Sequence, residues 1–301
     1  MKKKKNVVLI MADQLGAGAL NCYGGKADST PFIASMAERG VRFDRYYATS
    51  PVCAPNRAVL LTGRSVCVNG MTGNNYVLGR DCPTFFEVLR GAGYRTGLFG
   101  KLHQTPMLLD VPDDLNYLGI DECCVSDDVK WGPWLRWVEE RHPARYDAAL
   151  AFAWGVGYMD YPPDLNLRKD RMRARYIEPL KKASEWEQMY TSPLPAEVHD
   201  TAFIAEKGIE FIERAAQGKK PFFAEISFVD PHDPYDPPYP YSEMFKPEDM
   251  EEPAPEEWKE QGPAFLDGER DAYLNFRRIC DNPAAVKKFR AYYHGSCRYR
   301  R

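Results

Sequence analysis

Two short apolar runs constrain this chain most. Val7-Val8-Leu9-Ile10-Met11-Ala12 stops at Asp13, and the run from Pro221 to Val229 stops at Asp230. Neither approaches the roughly 20 residues a membrane-spanning helix needs. Both have the length of a strand buried on both faces, and such strands belong to parallel sheets covered by helices. Lys2 to Lys5 give the first run a signal-like basic start. The run is only six residues long, below the about seven to fifteen of a secretory core, and no small-residue cleavage site follows. It reads as a first strand, so a cytoplasmic chain with no membrane partner is expected.

Strand and helix signals alternate, which predicts an α/β fold with a mostly parallel central sheet flanked by helices. Thr30-Pro31 opens a helix that ends at Gly40, and Val41 to Tyr47 reads as a strand. Pro83 to Leu89 reads as a proline-started helix, and Tyr94 to Phe99 as the strand that follows it. From about 105 to 195 the chain is rich in Trp, Tyr, Pro and charge with weak periodicity. That stretch reads as an irregular insertion with a short helix near Pro133 to Glu140. Asp200 is placed to cap an amphipathic helix with Phe203, Ile204, Ile209, Phe211 and Ile212 on its apolar side. From 236 to 270 the chain is rich in proline and acid and reads as loop.

With 301 residues and 44% hydrophobic content the chain can bury a real core. A net charge of −3 argues against a nucleic-acid partner, which calls for a basic surface. The eight cysteines, at 22, 53, 67, 82, 123, 124, 280 and 297, show neither zinc-type Cys-x-x-Cys spacing nor a small-scaffold disulfide pattern.

The segment Ser50-Pro51-Val52-Cys53-Ala54-Pro55-Asn56-Arg57, continued to Leu61-Thr62-Gly63-Arg64, carries chemistry. Pro55 suits the first turn of a helix running to Thr62, and Gly63 suits its left-handed end. Cys53 is then expected just outside the helix N-terminus, where exposed N–H groups favour an anion. Arg57, one turn in, offers a planar guanidinium for bidentate contact with a tetrahedral oxyanion.

Three further polar motifs follow expected strands, and ligands of open α/β sheets collect at the carboxyl ends of strands. Asp13 and Gln14 offer hard oxygens suited to Ca²⁺ or Mg²⁺. Lys101-Leu102-His103 places an ammonium and an imidazole on alternate residues, pointing the same way along an extended segment. Asp230-Pro231-His232-Asp233-Pro234-Tyr235 carries a histidine that can act as a general acid. Taken singly, each of these also reads as an ordinary turn or solvated loop. His142, His199 and His294 match no motif and read as structural or exposed.

Cys53-x-Pro55-x-Arg57 with Thr62-Gly63-Arg64, Gly100-Lys101-x-His103 and the Pro231-His232 motif together resemble the type I sulfatases, of alkaline-phosphatase-like fold. The resemblance is strong from Asn6 to His103 and again from Asp200 to Tyr235. It implies that Cys53 is oxidised to formylglycine by a maturation enzyme, and that the hydrated aldehyde attacks a sulfate ester. It implies a divalent metal, Ca²⁺ with Mg²⁺ as an option, at Asp13, Gln14 and the modified Cys53. Arg57, Lys101 and His103 would hold the transferring group, and His232 or Lys101 would protonate the leaving alkoxide. The substrate implied is a small-molecule or carbohydrate sulfate ester.

Gln14 stands where the family has a second acid, and Asn56 where it has serine or alanine. The family completes its metal site with a later Asp-Asn or Asp-His pair. Asp281-Asn282 follows no apolar strand and reads as a decoy. Ala291 to Ser296 resembles the helix before the missing pair, and Cys297 to Arg301 reads as a polar tail. The expectation is a partial sulfatase N-terminal domain over 1–301, truncated, without the small C-terminal domain. Three functions stay open: sulfatase, phosphonate or phosphate ester hydrolase on the same scaffold, and inactive fragment or pseudoenzyme.

Overall fold

The computed structural model describes residues 4–74, 76–106, 115–153, 163–185, 188–251 and 282–299. Its strands are β1 (Val7–Ala12), β2 (Arg95–Gly100), β3 (Glu122–Val125) and β4 (Phe222–Phe228). Its helices are α1 (Pro31–Arg39), α2 (Cys53–Thr62), α3 (Val66–Asn69), α4 (Phe85–Gly91) and α5 (Pro133–Arg141). They continue with α6 (Tyr146–Leu150), α7 (Pro163–Tyr176), α8 (Glu178–Ser184), α9 (Asp200–Ala216) and α10 (Pro283–Arg298). Two units divide the chain: Met1–Gln14, Phe43–Ile177 and Ala196–Asp230 form the first, and the remainder forms the second.

The first unit is a parallel sheet in the order β1-β4-β2-β3, as the alternating signals predict. Register pairs Ala12 with Phe228, Gly100 with Ser227 and Gly100 with Val125. All four carboxyl ends therefore open at one edge. The side chains of β4 alternate between two layers. Phe223 packs with Leu98, Phe86 of α4, and Ala54, Ala58 and Leu61 of α2. Phe222 and Ala224 pack on the other side with Phe99 and with Phe211 and Ala215 of α9. The helix-sheet-helix arrangement follows from that alternation: each apolar face of the sheet has a helical cover.

Several expectations need correction. β1 is not buried on both faces: Ile10 is 58% exposed, and among the described residues the strand pairs with β4 alone. An apolar run fits an edge as well as a centre when nothing in the run marks its neighbours. Val41 to Tyr47 forms no strand; Val41, Phe43, Tyr46 and Tyr47 are exposed and no neighbour hydrogen-bonds to the segment as a ladder. The second proline helix starts at Phe85, because Thr84, not Pro83, caps it: Thr84 accepts from Glu87 N–H and Glu87 accepts from Thr84 N–H. Asp200 is the first residue of α9, and the cap position belongs to His199. The 105–195 stretch is not wholly an insertion, since it supplies β3 to the sheet as well as α5.

The second unit holds α1, α8 and α10. Tyr235 packs on Met189, Ala285 and Phe289, with the Tyr235 and Phe289 ring centroids 4.5 Å apart. Asn282 caps α10 by accepting from Ala284 N–H and Ala285 N–H at 3.1 and 3.2 Å, which accounts for it as a structural residue. Asp281 lies outside the described residues. Cys297 and Arg298 belong to α10, where a polar tail was expected from Cys297 onward. No disulfide joins the described cysteines, and no helix among the described residues is long and apolar enough to cross a membrane.

Candidate active site

Cys53 is the first residue of α2, one position inside the helix rather than outside it. Val52 is extended and acts as the cap residue, while Gly63 closes the other end at φ 63°, the left-handed conformation expected of it. Asn74 sits over the helix start. Its Oδ1 accepts from Ala54 N–H at 3.2 Å and lies 3.8 Å from Cys53 Sγ. A carboxylate oxygen of Asp13 lies within 4.8 Å of that sulfur.

Asp13 follows β1, and its own N–H extends the ladder to Phe228 O. Its Oδ1 accepts from Gln14 N–H at 3.1 Å. Its Oδ2 receives Lys101 Nζ at 2.5 Å and faces Arg57 Nη2 at 3.8 Å. Arg57 is buried; its Nη1 donates to Lys101 O at 3.0 Å and to Ser227 Oγ at 2.8 Å. α2 thus aims a guanidinium along the carboxyl ends of β2 and β4.

Lys101 is fully buried, and its Nζ lies 2.6 Å from both oxygens of Asp128. Burial opposes its charge, but the carboxylates of Asp128 and Asp13 outweigh burial and hold its pKa above the ordinary lysine value. Asp128 lies past the end of β3, and the sequence reading missed it because β3 was not expected. Asp127, beside it, accepts from the N–H groups of Leu102 and His103. His103 is buried at φ 54°, and neither ring nitrogen has a hydrogen-bond partner among the described residues. Thr105 Oγ1 and Ser126 Oγ are buried without partners there as well. Buried polar atoms without protein partners are costly unless a ligand or water meets them.

Asp13, Cys53, Arg57, Lys101 and His103 are therefore brought into one neighbourhood of the first unit. Gln14 is adjacent in sequence but exposed. His232 belongs to the second unit; its Nδ1 lies 2.8 Å from Asp233 O, so Nδ1 carries a proton in that bond.

A second group stands at the start of α9. His199, Asp200 and Asp230 are buried, and their donor atoms lie within 4.8 Å of one another, a set that could hold a metal. His199 Nδ1 is 2.9 Å from Asp200 Oδ1 and 3.8 Å from Asp230 Oδ2. Lys130 Nζ stands 3.4 Å from Asp200 Oδ1 and already supplies positive charge. Burial works against both ions, but Asp200 holds the His199 pKa up, and Lys130 and His199 hold Asp200 below the usual carboxylate range.

A parallel sheet with helices on both faces, and at its carboxyl edge a helix-start cysteine among a carboxylate, a guanidinium and an ammonium, defines an alkaline-phosphatase-like α/β domain. The family model "Sulfatase" matches residues 5–295, and this chain belongs to that family. It is 28% identical over 296 residues to an arylsulfatase of Clostridium perfringens, covering 97% of this chain and 56% of the relative. It is 43% identical over 112 residues to human arylsulfatase D, covering 34% of this chain and 19% of that protein. Its fold matches the structure of a phosphonate monoester hydrolase from Silicibacter pomeroyi with a TM-score of 0.71 at 24% identity, covering 98% of this chain and 57% of that one. The chain spans about half the length of the Clostridium relative.

Proposed function

We propose that this chain carries the catalytic site of a metal-dependent hydrolase of monoesters of a tetrahedral oxyanion acid. The observation that carries the reading is Cys53 in the first turn of α2, with Asp13, Arg57 and Lys101 around it. Arg57 and the α2 N-terminus would bind the non-bridging oxygens, in a buried setting where each charge counts for more than in water. Lys101, held charged between Asp13 and Asp128, can donate a proton to a departing oxygen. The His103 ring, buried without a hydrogen-bond partner among the described residues, offers a nitrogen to the transferring group.

A divalent cation fits Asp13 by donor chemistry: a carboxylate at a strand end, with Gln14 as a neighbouring amide oxygen. Bound there, such a cation would supply positive charge to the ester oxygens. We assign Cys53 as the nucleophile, after conversion to formylglycine by a maturation enzyme.

Two substrate classes follow. Phosphate monoesters, dianions near neutral pH, are favoured by Gln14, because an amide in place of a second carboxylate leaves the site one negative charge poorer. Phosphonate monoesters carry one charge, as sulfate esters do, and belong to the same class by their tetrahedral phosphorus centre. Sulfate esters are favoured by the names of the curated relatives. Rates on paired aryl sulfate and aryl phosphonate monoesters, with mass analysis of the Cys53 peptide, decide between them. Hydrolysis of neither ester by a chain with converted Cys53 and added Ca²⁺ or Mg²⁺ would sink the reading, as would equal rates in Cys53→Ala.

A further inference from the structure

Glu225 sits in the middle of β4, the strand buried along its whole length. The sequence reading took that strand as wholly apolar. Register places Leu9 of β1 on one side of Glu225 and Leu98 of β2 on the other. By alternation it shares a face with Phe223, which packs under α2 and α4, and with Ser227, which receives Arg57 Nη1 at 2.8 Å. It is 4% exposed, and its Oε2 has no hydrogen-bond partner among the described residues. That oxygen has lost its water and gained no donor among the described residues. Among the described groups, Arg57 is the one whose charge eases its ionisation.

We propose that Glu225 is a positioning residue for anion binding, acting through Arg57 as a counter-charge that is present or absent according to its proton. This rests on the reading that Arg57 binds the oxyanion. With Glu225 protonated, the guanidinium's positive field is shared between Asp13, 3.8 Å away, and the substrate. With Glu225 ionised, part of that field is spent on a buried neighbour about one strand repeat from Ser227, and anion affinity falls. The reciprocal holds: a bound anion opposes loss of the Glu225 proton, so anion binding draws a proton from solvent. Burial first, against partial relief from Arg57, raises the Glu225 pKa to about 7, which puts the exchange in the physiological range.

The test uses the full chain with inorganic sulfate, whose charge is constant near neutral pH. Calorimetry in two buffers of different ionisation enthalpy is expected to show proton uptake on sulfate binding just above pH 7. Glu225→Gln should remove that uptake, and should bind sulfate about fivefold or more tightly than the wild type well above pH 7. Equal uptake and equal pH dependence in the two proteins overturns the proposal. A second measurement stands without sulfate binding: the infrared carbonyl band of the protonated carboxyl, identified by its loss in Glu225→Gln. It should titrate near 7 in the wild type and higher in Arg57→Gln, with Arg57→Lys closer to wild type. A midpoint unmoved by Arg57→Gln overturns the proposal. Absence of sulfate binding with a midpoint that does move instead overturns the oxyanion role of Arg57.

Discussion

A single carboxylate oxygen of Asp127 accepts hydrogen bonds from both the His103 and the Leu102 backbone N–H groups, at 3.2 and 2.9 Å. It ties the end of β3 to the chain leaving β2. His103 is held at φ 54°, a conformation that costs a non-glycine residue of order 1 kcal/mol and persists only when its surroundings impose it. Asp127→Ala orphans two buried donors together. It should lower stability by about 2–4 kcal/mol and ester hydrolysis by about tenfold or more. Asp127→Asn keeps the accepting oxygen and should recover most of both. Urea unfolding and steady-state rates on the two variants read this out, and an Asp127→Ala with unchanged rates would remove Asp127 from the site's support.

What the sequence carried and what it hid divide along a physical line. Cys53, Arg57, Lys101 and His103 were legible because each sits in a short motif that can be read without its spatial partners, although those of Arg57 and Lys101 lie far away in sequence. Asp127, Asp128 and Glu225 were not, because they reach the site through parallel register between strands far apart in sequence. Val41 to Tyr47 has the residue types of a strand, but strand propensity is realised only against a partner. β1 was misread for a related reason: six apolar residues do not specify what lies alongside them.

Lys101 pairs with both Asp128 and Asp13, its Nζ 2.6 and 2.5 Å from their oxygens. Removing it takes a fully buried ammonium from both carboxylates and leaves Asp13 only the more distant Arg57 guanidinium among its described ion pairs. Lys101→Met should cost about 3–5 kcal/mol of stability. The double variant Lys101→Met/Asp128→Asn should regain a substantial part of the loss while activity stays low. Additive losses in the double variant would mean that the two side chains are not coupled as their 2.6 Å contact requires.

Gly100 ends β2 at φ +97°, and a Cβ there would stand 2.0 Å from Ser227 O. Ser227 is the residue whose hydroxyl accepts from Arg57. Gly100→Ala therefore meets backbone that cannot move without shifting β4 and the guanidinium contact together. It should destabilise the chain by about 3 kcal/mol or more and weaken anion binding in whatever fraction folds. A melting curve and sulfate calorimetry check both, and a variant as stable as wild type contradicts the close approach of β2 and β4.

The His199–Asp200–Lys130 cluster predicts a pH dependence with a definite sign. Burial disfavours the charges, yet Asp200 raises the His199 pKa above 6.5, and Lys130 and His199 lower that of Asp200 below 3.8. A raised histidine pKa contributes stability that is complete below 6.5 and is lost as pH rises through the folded value. A lowered carboxyl pKa contributes stability that is complete above 3.8 and is lost as pH falls through the folded value. Both shifts report the same ion pair, so they define one window, between pH 3.8 and 6.5, in which the cluster stabilises most. Relative to wild type, His199→Gln should lose most stability inside that window, and the difference should narrow above it. Lys130→Met should cost about 3–5 kcal/mol, since it leaves Asp200 buried without its ammonium. A chelator compared across variants separates this ion cluster from a metal site: with Lys130 already 3.4 Å from Asp200, EDTA should shift the melting temperatures of wild type and Asp230→Asn equally. A fall in the wild-type temperature, restored by zinc and absent in Asp230→Asn, would instead assign His199, Asp200 and Asp230 to a metal.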